Sequence, residues 1–523
     1  MNFNSLEIYE ETKCYIKQDN FNFTSNKICC YFKSIKNFLL EKINNADIIL
    51  GCVAWLTNQD ILNYLANNKQ VMIIVHKEDF IRHSSFNNIN NLYTKIKPLS
   101  ENIKNSVFND TIINILPNFD DHSAIRCIGC FNSNKLLSFS RMHNKFLIFG
   151  KNNNGSFNPY AVWTGSYNLS HNADNSFENC TYITDKDIVN AYVRQFIQCY
   201  MLSESINWKN ENCTPDIYSL VLKIKNSELS NYPLGTHICY LNNNNTFRLG
   251  GSLVKICPDY FIFFNKLQNQ KYRARFNIIK SIYVIHNKFN GIYSQIHLND
   301  IDLTKIQILD AYQKNYNCIG YDIECYFTNI ESILCDKIRE ADAVVGCVAW
   351  LTNEKIINTL AKLKKGASIL VQKEDFLRPD GQSFSKNKLH LLYKSIRKLF
   401  DRSDDITFSG TIFKNISYMN SIANSAIKCV GNYNNNKDYN KPLMHNKFLI
   451  FGKINEERFI PYAIWTGSLN FTSSAMKSLE NAVFIKDKHI INAYLNEWVQ
   501  IFLFSEELNW NTEYVCPELR IGS

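Results

Sequence analysis

The chain contains a long internal duplication, and this feature constrains its fold more than any other. The octapeptide GCVAWLTN occurs at residues 51–58 and again at 346–353, and the decapeptide MHNKFLIFGK occurs at 142–151 and again at 444–453. The offset between matching residues grows from 295 at the first pair to 302 at the second, and then stays constant. Two copies of one domain are therefore predicted, at roughly residues 22–210 and 317–512.

Each copy has the alternating pattern of an α/β fold. Helical periodicity is found in the first copy at residues 35–43, 60–67, 92–97 and 187–202. Apolar runs typical of strands are found at 48–54, 71–75, 124–129, 145–149 and 161–164. Strands this apolar, separated by helices, predict a mixed sheet in each copy that is covered by helices on both faces.

Residues 211–316 match neither copy. Short strand patterns at 236–240, 251–256, 260–265 and 278–285 predict a small β-rich, barrel-like middle domain. The predicted domains are therefore 1–210, 211–316 and 317–523. The role of the middle domain stays open, since small barrels bind nucleic acids or peptides and a spacer between the copies fits equally well.

Charge and hydropathy indicate which partners and which cellular location to expect. The 57 basic and 48 acidic residues give a net charge of +9, which permits a nucleic-acid or anionic-lipid partner. The longest uncharged apolar run, 48–56, is too short to span a bilayer, and the first twenty residues lack the apolar centre of a signal peptide. A cytoplasmic protein is expected.

Cysteine usage points to reduced structural thiols. The chain has 17 cysteines, and Cys127 and Cys130 form a CxxC pair. The equivalent stretch of the second copy, which begins at Cys429, lacks the second thiol. A metal or disulfide role is therefore not expected for this pair.

A series of polar residues recurs in both copies at the predicted ends of strands. Its members are His143, Lys145, Ser166, Asn168 and Glu178 in the first copy, and His445, Lys447, Ser468, Asn470 and Glu480 in the second. Side chains two positions apart on a strand share a face, so the histidine and lysine of each copy should project together. Lysine and asparagine donate to phosphate oxygens, histidine acts as nucleophile or acid, and glutamate can orient a histidine.

This series predicts phosphoryl-transfer chemistry without a metal or cofactor. No closely spaced acidic set or Cys/His ligand set recurs in both copies. The tetrapeptide HNKF alone is weak support, because it also occurs at 286–289 with no GSxN after it at the matching distance. The two serines are interpreted as phosphate-binding or loop-stabilising hydroxyls, since no Ser/His/Asp order is present.

The series resembles the phospholipase D superfamily, whose motif is HxK, four residues and Asp, followed by GSxN and a later Glu. It is most similar to bacterial phospholipase D-like proteins with two such repeats. The resemblance implies two α/β/α sandwich domains related by a pseudo-twofold axis, with one active site between them. A monomer could then be active, although a homodimer stays open.

The sequence differs from the superfamily motif at one position in each copy. The family's Asp should fall on Gly150 and Gly452, and the extra length before GSxN suggests an inserted hairpin at 150–160. Loss of this Asp leaves the histidines, lysines and asparagines in place.

The implied mechanism is a two-step displacement through a phosphohistidine. His143 is assigned as nucleophile and His445 as acid, with both lysines and asparagines on the phosphate oxygens and both glutamates orienting histidines. The leading hypothesis is a metal-independent nuclease. The alternatives are a phospholipase D or phosphatidyl transferase acting on phospholipids, and an inactive scaffold that binds nucleic acid or protein.

Overall fold

A computed structural model gives the fold. It describes residues 20–25, 27–67, 69–76, 123–128, 141–153, 156–205, 220–232, 234–243, 247–265, 270–286, 317–377, 384–399, 407–408, 425–431, 443–456, 458–503, 505–508 and 510. The helix predicted at 92–97 and the thiol of Cys130 lie outside these residues.

The first copy forms a nine-stranded mixed sheet. Its strands are β1 (Phe23–Thr24), β2 (Ile28–Tyr31), β3 (Ile48–Val53), β4 (Gln70–His76), β5 (Ile125–Ile128), β6 (Lys145–Asn153), β7 (Ser156–Gly165), β8 (Cys180–Ile183) and β9 (Glu204–Ser205). They run in the order β1-β2-β8-β7-β6-β3-β4-β5-β9. Strand β4 pairs in parallel with β3 and β5, and the other pairs are antiparallel. The helices are Ile35–Asn45, Gln59–Ala66, His171–Asp174 and Lys186–Leu202.

The second copy repeats this order in a ten-stranded sheet. Its strands are β16 (Cys318–Ile319), β17 (Ile323–Tyr326), β18 (Ala343–Val348), β19 (Gly366–Gln372), β20 (Thr407–Phe408), β21 (Ile427–Val430), β22 (Lys447–Asn455), β23 (Arg458–Gly467), β24 (Ala482–Ile485) and β25 (Glu506–Glu507). The order is β16-β17-β24-β23-β22-β18-β19-β21-β25, and β20 pairs with β23. The α-helices are Ile330–Glu340, Glu354–Leu360, Phe384–Lys394 and Lys488–Leu503.

Between the copies lies a six-stranded antiparallel sheet. Its strands are β10 (Leu220–Ile224), β11 (His237–Asn242), β12 (Phe247–Ile256), β13 (Tyr260–Asn265), β14 (Gln270–Arg275) and β15 (Ile279–His286). They run in the order β10-β15-β11-β12-β13-β14. The strands predicted at 236–240, 251–256, 260–265 and 278–285 overlap β11, β12, β13 and β15. A separate middle domain, its barrel form and the three domain boundaries stay predictions.

Local sequence explains the elements that frame the site. Strand β3 is buried along its whole length because apolar clusters cover both faces of the sheet. The helix Gln59–Ala66 begins where the side chain of Asn58 accepts hydrogen bonds from the amides of Asp60 and Ile61. The second copy uses Asn353 in the same way, accepting from the amide of Ile356.

One apolar core is shared by the two copies. Each sheet has an apolar cluster of its own, and a further cluster combines buried residues of both sheets with the helices Lys186–Leu202 and Lys488–Leu503. Within it Tyr192 packs edge-on against Phe327, and Tyr494 packs edge-on against Phe32, so each of these helices contacts the opposite copy. The predicted α/β class with mixed sheets is confirmed, and the pseudo-twofold relation stays a prediction.

In the described part of the chain, no helix combines the length and the apolar character that a bilayer crossing requires. The cytoplasmic location stays a prediction.

Candidate functional site

The histidine and lysine of each copy lie together, as the strand spacing predicts. Lys145 is the first residue of β6, and its Nζ lies 3.0 Å from Nε2 of His143 and 3.1 Å from the backbone oxygen of His143. In the second copy Nζ of Lys447 lies 2.9 Å from both Nε2 and the backbone oxygen of His445. Lysine is a donor only, so Nε2 of each histidine accepts.

Each histidine is held by the glutamate of the other copy. Nδ1 of His143 lies 2.7 Å from Oε1 of Glu480, and Nδ1 of His445 lies 2.7 Å from Oε1 of Glu178. Because Nε2 accepts from a lysine, Nδ1 carries the ring proton and donates it to the carboxylate. The crossed arrangement answers a question that two identical motifs leave open in the sequence.

The two serines fix the glutamates. Oγ of Ser166 donates to Oε2 of Glu178, and Oγ of Ser468 donates to Oε2 of Glu480. Each serine hydroxyl also accepts from the amide of the asparagine that follows its glutamate. The loop-stabilising interpretation of these hydroxyls matches these contacts, while phosphate binding by them stays a prediction.

A second set of crossed contacts surrounds the glutamates. Oδ1 of Asn481 accepts from the amide of Lys145 at 3.3 Å, and Oδ1 of Asn179 accepts from the amide of Lys447 at 3.3 Å. Their side-chain amides donate to a threonine and a tyrosine of the opposite copy, namely Thr164 and Tyr192 for Asn481, and Thr466 and Tyr494 for Asn179.

The threonines and tyrosines of this set were missed as site residues. The signal for them was present, since Thr164 and Thr466, and Tyr192 and Tyr494, are each 302 residues apart, in the register of the repeat. A search for every identical polar pair in that register would have found them.

The asparagines of the GSxN motifs are buried, two residues after the serines of the site. Asn168 and Asn470 are each 3% exposed, and Oδ1 of each has no hydrogen-bond partner. A buried acceptor without a donor is costly, so each Oδ1 calls for a donor, whereas the Nδ2 of the same amide is the atom that can donate to a phosphate oxygen.

Burial sets the electrostatics of the site. It lowers the pKa of His143 well below its usual value, and Lys145 and Lys447 add to this effect. Burial and the same two lysines also hold the pKa of His445 well below its usual value. Because both lysines act on both histidines, the two motifs form one charge cluster.

Burial also shifts the pKa values of the two glutamates and the two lysines of the cluster. Burial raises the pKa of Glu178 and of Glu480 to about 8. It lowers the pKa of Lys145 to about 8 and that of Lys447 well below its usual value. Because burial disfavours the charged form of each of these interacting groups, the cluster titrates as a unit.

The glycines at the two positions where an Asp was expected have a packing reason. Strands β6 and β7 form the predicted hairpin, with a bulge between Phe149 and Gly150. A Cβ on Gly150 would lie 2.2 Å from the ring of Phe157, and a Cβ on Gly452 would lie 2.2 Å from the ring of Phe459. Real atoms do not approach so closely, so a side chain at either position would require the facing phenylalanine ring to move.

Other predicted features fall outside the cluster. Cys127 is buried in β5, away from the histidines' hydrogen bonds. Over the described ranges, no three His, Cys, Asp or Glu side chains group in a way that could hold a metal ion. The absence of a metal and of a cofactor from the reaction stays a prediction.

The fold and the site together define a duplicated α/β protein with one buried cluster built from two histidine–lysine pairs. No family model matches the chain. It belongs to the same family as the uncharacterized protein L381 of Acanthamoeba polyphaga mimivirus, with 33% identity over 233 residues, which cover 40% of this chain and 80% of that protein. The uncharacterized protein L57 of the same virus is 44% identical over 57 residues, or 11% of this chain and 31% of that protein.

The structure was also compared with solved structures, which share little sequence with this chain. Phosphatidylserine synthase of Haemophilus influenzae Rd KW20 has a TM-score of 0.44 and 13% identity, over 93% of this chain and 88% of that chain. Nuc of Salmonella typhimurium, a phospholipase D family member, has a TM-score of 0.22 and 14% identity, over 34% of this chain and 95% of that chain.

Proposed function

We propose that the chain is a metal-independent phosphodiesterase of the phospholipase D type, and that it hydrolyses nucleic acid at one site shared by the two copies. The crossed cluster carries this proposal. His143 and His445 each present Nε2 beside a lysine, with Nδ1 fixed by a glutamate from the opposite copy. A fixed tautomer, adjacent cations and buried amides are what displacement at phosphorus requires.

The first step transfers the phosphoryl group to the protein. The lone pair on Nε2 of His143 attacks phosphorus, and the bond from phosphorus to the leaving oxygen breaks. His445, protonated on both nitrogens, gives its Nε2 proton to that oxygen. In the second step His445 takes a proton from water, the resulting hydroxide attacks phosphorus, and the phosphorus–nitrogen bond breaks to free His143.

The surroundings favour this division of roles. Arg141 is a further cation that lowers the pKa of His143, after burial and the two lysines. His445 has no such contribution from Arg141, and its contact with the backbone of Ser166 works in the opposite direction by raising its pKa. This difference in surroundings is the basis for assigning His143 as nucleophile and His445 as acid. The substrate's negative charge would further favour the protonated form of His445.

The choice of nucleic acid rests on the net charge of +9. A phospholipid substrate and binding without turnover are the competing outcomes of the test. Labelled single-stranded and double-stranded DNA and RNA, together with phosphatidylglycerol vesicles, are incubated with the protein in excess EDTA. We expect cleavage of nucleic acid that EDTA does not reduce. Headgroup release alone would move the substrate to lipid, and binding without product would favour the scaffold.

The pH dependence of kcat/KM is a second expectation. Burial brings the pKa of Lys145 to about 8, so the cation that meets the phosphate is lost as the pH rises through that value. The pKa of His143 lies well below its usual value of 6.5, so the fall of kcat/KM on the acid side, where His143 becomes protonated, is expected below that pH. We expect kcat/KM to decline above about pH 8 in the wild type.

A Lys145→Arg variant identifies the group behind this decline. Arginine stays protonated far above this range, so the alkaline limb is expected to move upward whatever the variant's absolute rate. A limb that stays in place would assign it to the general acid His445 or to Glu178 or Glu480, and would contradict the lysine account.

A further inference from the structure

The chain enters the two histidine–lysine motifs along matching backbone paths. The amide of Leu479 donates to the backbone oxygen of Arg141, and the amide of Phe177 donates to that of Leu443, both at 2.8 Å. The amides of Arg141 and Leu443 donate in turn to Oγ of a serine of the opposite copy, Ser478 and Ser176 respectively, both at 3.0 Å. Positions 141 and 443 are therefore equivalent places at the site.

The side chains at these two places differ in charge. Both are half-buried, and each lies two residues before its histidine. The amide of Leu479 donates to the backbone oxygen of Arg141, and the amide of His143 donates to that of Leu479. These two hydrogen bonds keep the chain extended from Arg141 to His143. The side chain of Arg141 therefore shares a face with His143 and Lys145. Its charge lowers the pKa of His143, after burial and the lysines, and opposes the rise that burial causes in the pKa of Glu480.

The histidines, lysines, asparagines, serines and glutamates of the site are matched between the copies. Arg141 and Leu443 therefore give a near-symmetric site one cationic side and one apolar side. A symmetric site would accept a phosphodiester in either direction. A guanidinium at one side favours the direction that brings a second anionic group to it, since arginine binds phosphate through paired hydrogen bonds.

We propose that Arg141 binds the phosphate next to the scissile one in a polynucleotide and so sets the direction in which the strand lies across the two histidines. This inference rests on the proposed function and adds to it a requirement for consecutive phosphates. A substrate with one isolated phosphodiester gains nothing from this contact.

The test compares two substrates in wild type and Arg141→Leu. One is a thymidylate pentamer, which has consecutive phosphates, and the other is bis(p-nitrophenyl) phosphate, which has a single diester. Loss of a charge-assisted contact is expected to lower the ratio of kcat/KM for pentamer over aryl diester by about 10- to 100-fold. The salt dependence of kcat/KM for the pentamer should also weaken, by about 0.7 in the log–log slope for one lost phosphate contact. Arg141→Lys should restore part of both, and thermal unfolding of each variant checks that the fold is retained.

An exchange variant, Arg141→Leu with Leu443→Arg, moves the cation to the other side. We expect the substrate ratio to recover and the phosphate to appear on the opposite end of the pentamer products. An unchanged ratio and salt slope in Arg141→Leu would overturn the inference, as would products of the exchange variant that carry the phosphate at the wild-type end. If the wild type hydrolyses neither substrate, the proposed function itself fails, which is a different result from hydrolysis of both without an effect of Arg141.

Discussion

Replacement of His143 by alanine is expected to abolish turnover of nucleic acid, with a loss of at least about 100- to 10,000-fold in kcat, because the attacking nitrogen is removed. His445→Ala is expected to cost about as much, because the leaving oxygen then departs unprotonated. Both are measured by single-turnover cleavage of an end-labelled oligonucleotide. His171→Ala is the matched control, since His171 is an exposed histidine of the first copy outside the cluster.

A substrate whose leaving group needs no proton distinguishes the two histidine variants. A p-nitrophenolate departs without a proton, so His445→Ala is expected to carry out the first step on bis(p-nitrophenyl) phosphate and to release a burst of p-nitrophenolate, whereas His143→Ala releases none. The reverse pattern would exchange the two roles. Turnover at the wild-type rate in either folded variant would refute the mechanism.

Replacement of Glu480 by glutamine is expected to disable the histidine of the other copy. The amide cannot take the Nδ1 proton as a carboxylate does, so the ring of His143 loses its fixed tautomer. Loss of the carboxylate that holds the histidine lowers kcat by about 10,000-fold in the serine protease triad, and we expect kcat to fall by about 100- to 10,000-fold here. The measurement is the same single-turnover assay.

A double-mutant cycle tests the crossing itself. Glu480→Gln should add little to the defect of His143→Ala, because both changes remove the same pair. A within-copy arrangement predicts instead that Glu178→Gln adds nothing to His143→Ala. If the glutamate of the first copy proves to be the one coupled to His143, the crossed geometry does not operate in solution. The residual rates of these variants have to be read from excess-enzyme time courses.

Much of the sheet could be predicted from the sequence because its strands are apolar runs bounded by breaks. Strands β2 and β8 could not, since ICCY and CTYI are short and lack a distinctive pattern, and their pairing becomes clear only in the folded sheet. Strand β7 starts five residues before its predicted beginning. Its Pro159 argues against a strand, but the structure places this proline at the bulge opposite Gly150. Strand β14 was missed because an edge strand such as Gln270–Arg275 carries few apolar residues.

For the site, the sequence predicts the contacts within one copy but not those between the copies. Residue types and spacing were enough to predict that each lysine would meet its own histidine, because i and i+2 on one strand are a local relation. They could not predict which glutamate meets which histidine, because that contact spans 337 residues in one case and 267 in the other. Two equivalent motifs give identical local signals for either arrangement. The position of Arg141 was likewise visible in the sequence, but its equivalence to Leu443 becomes meaningful only once both backbones are seen to make the same contacts.

The crossed contacts also bear on how this chain can diverge. A duplicated gene segment ordinarily leaves a spare, so that one copy is free to change while the other preserves the original activity. Here His143 depends on a carboxylate from the second copy and His445 on one from the first, and both copies build one apolar core. Harmful substitutions in either half are therefore not buffered by the other, and the two halves are expected to drift together as one unit of selection.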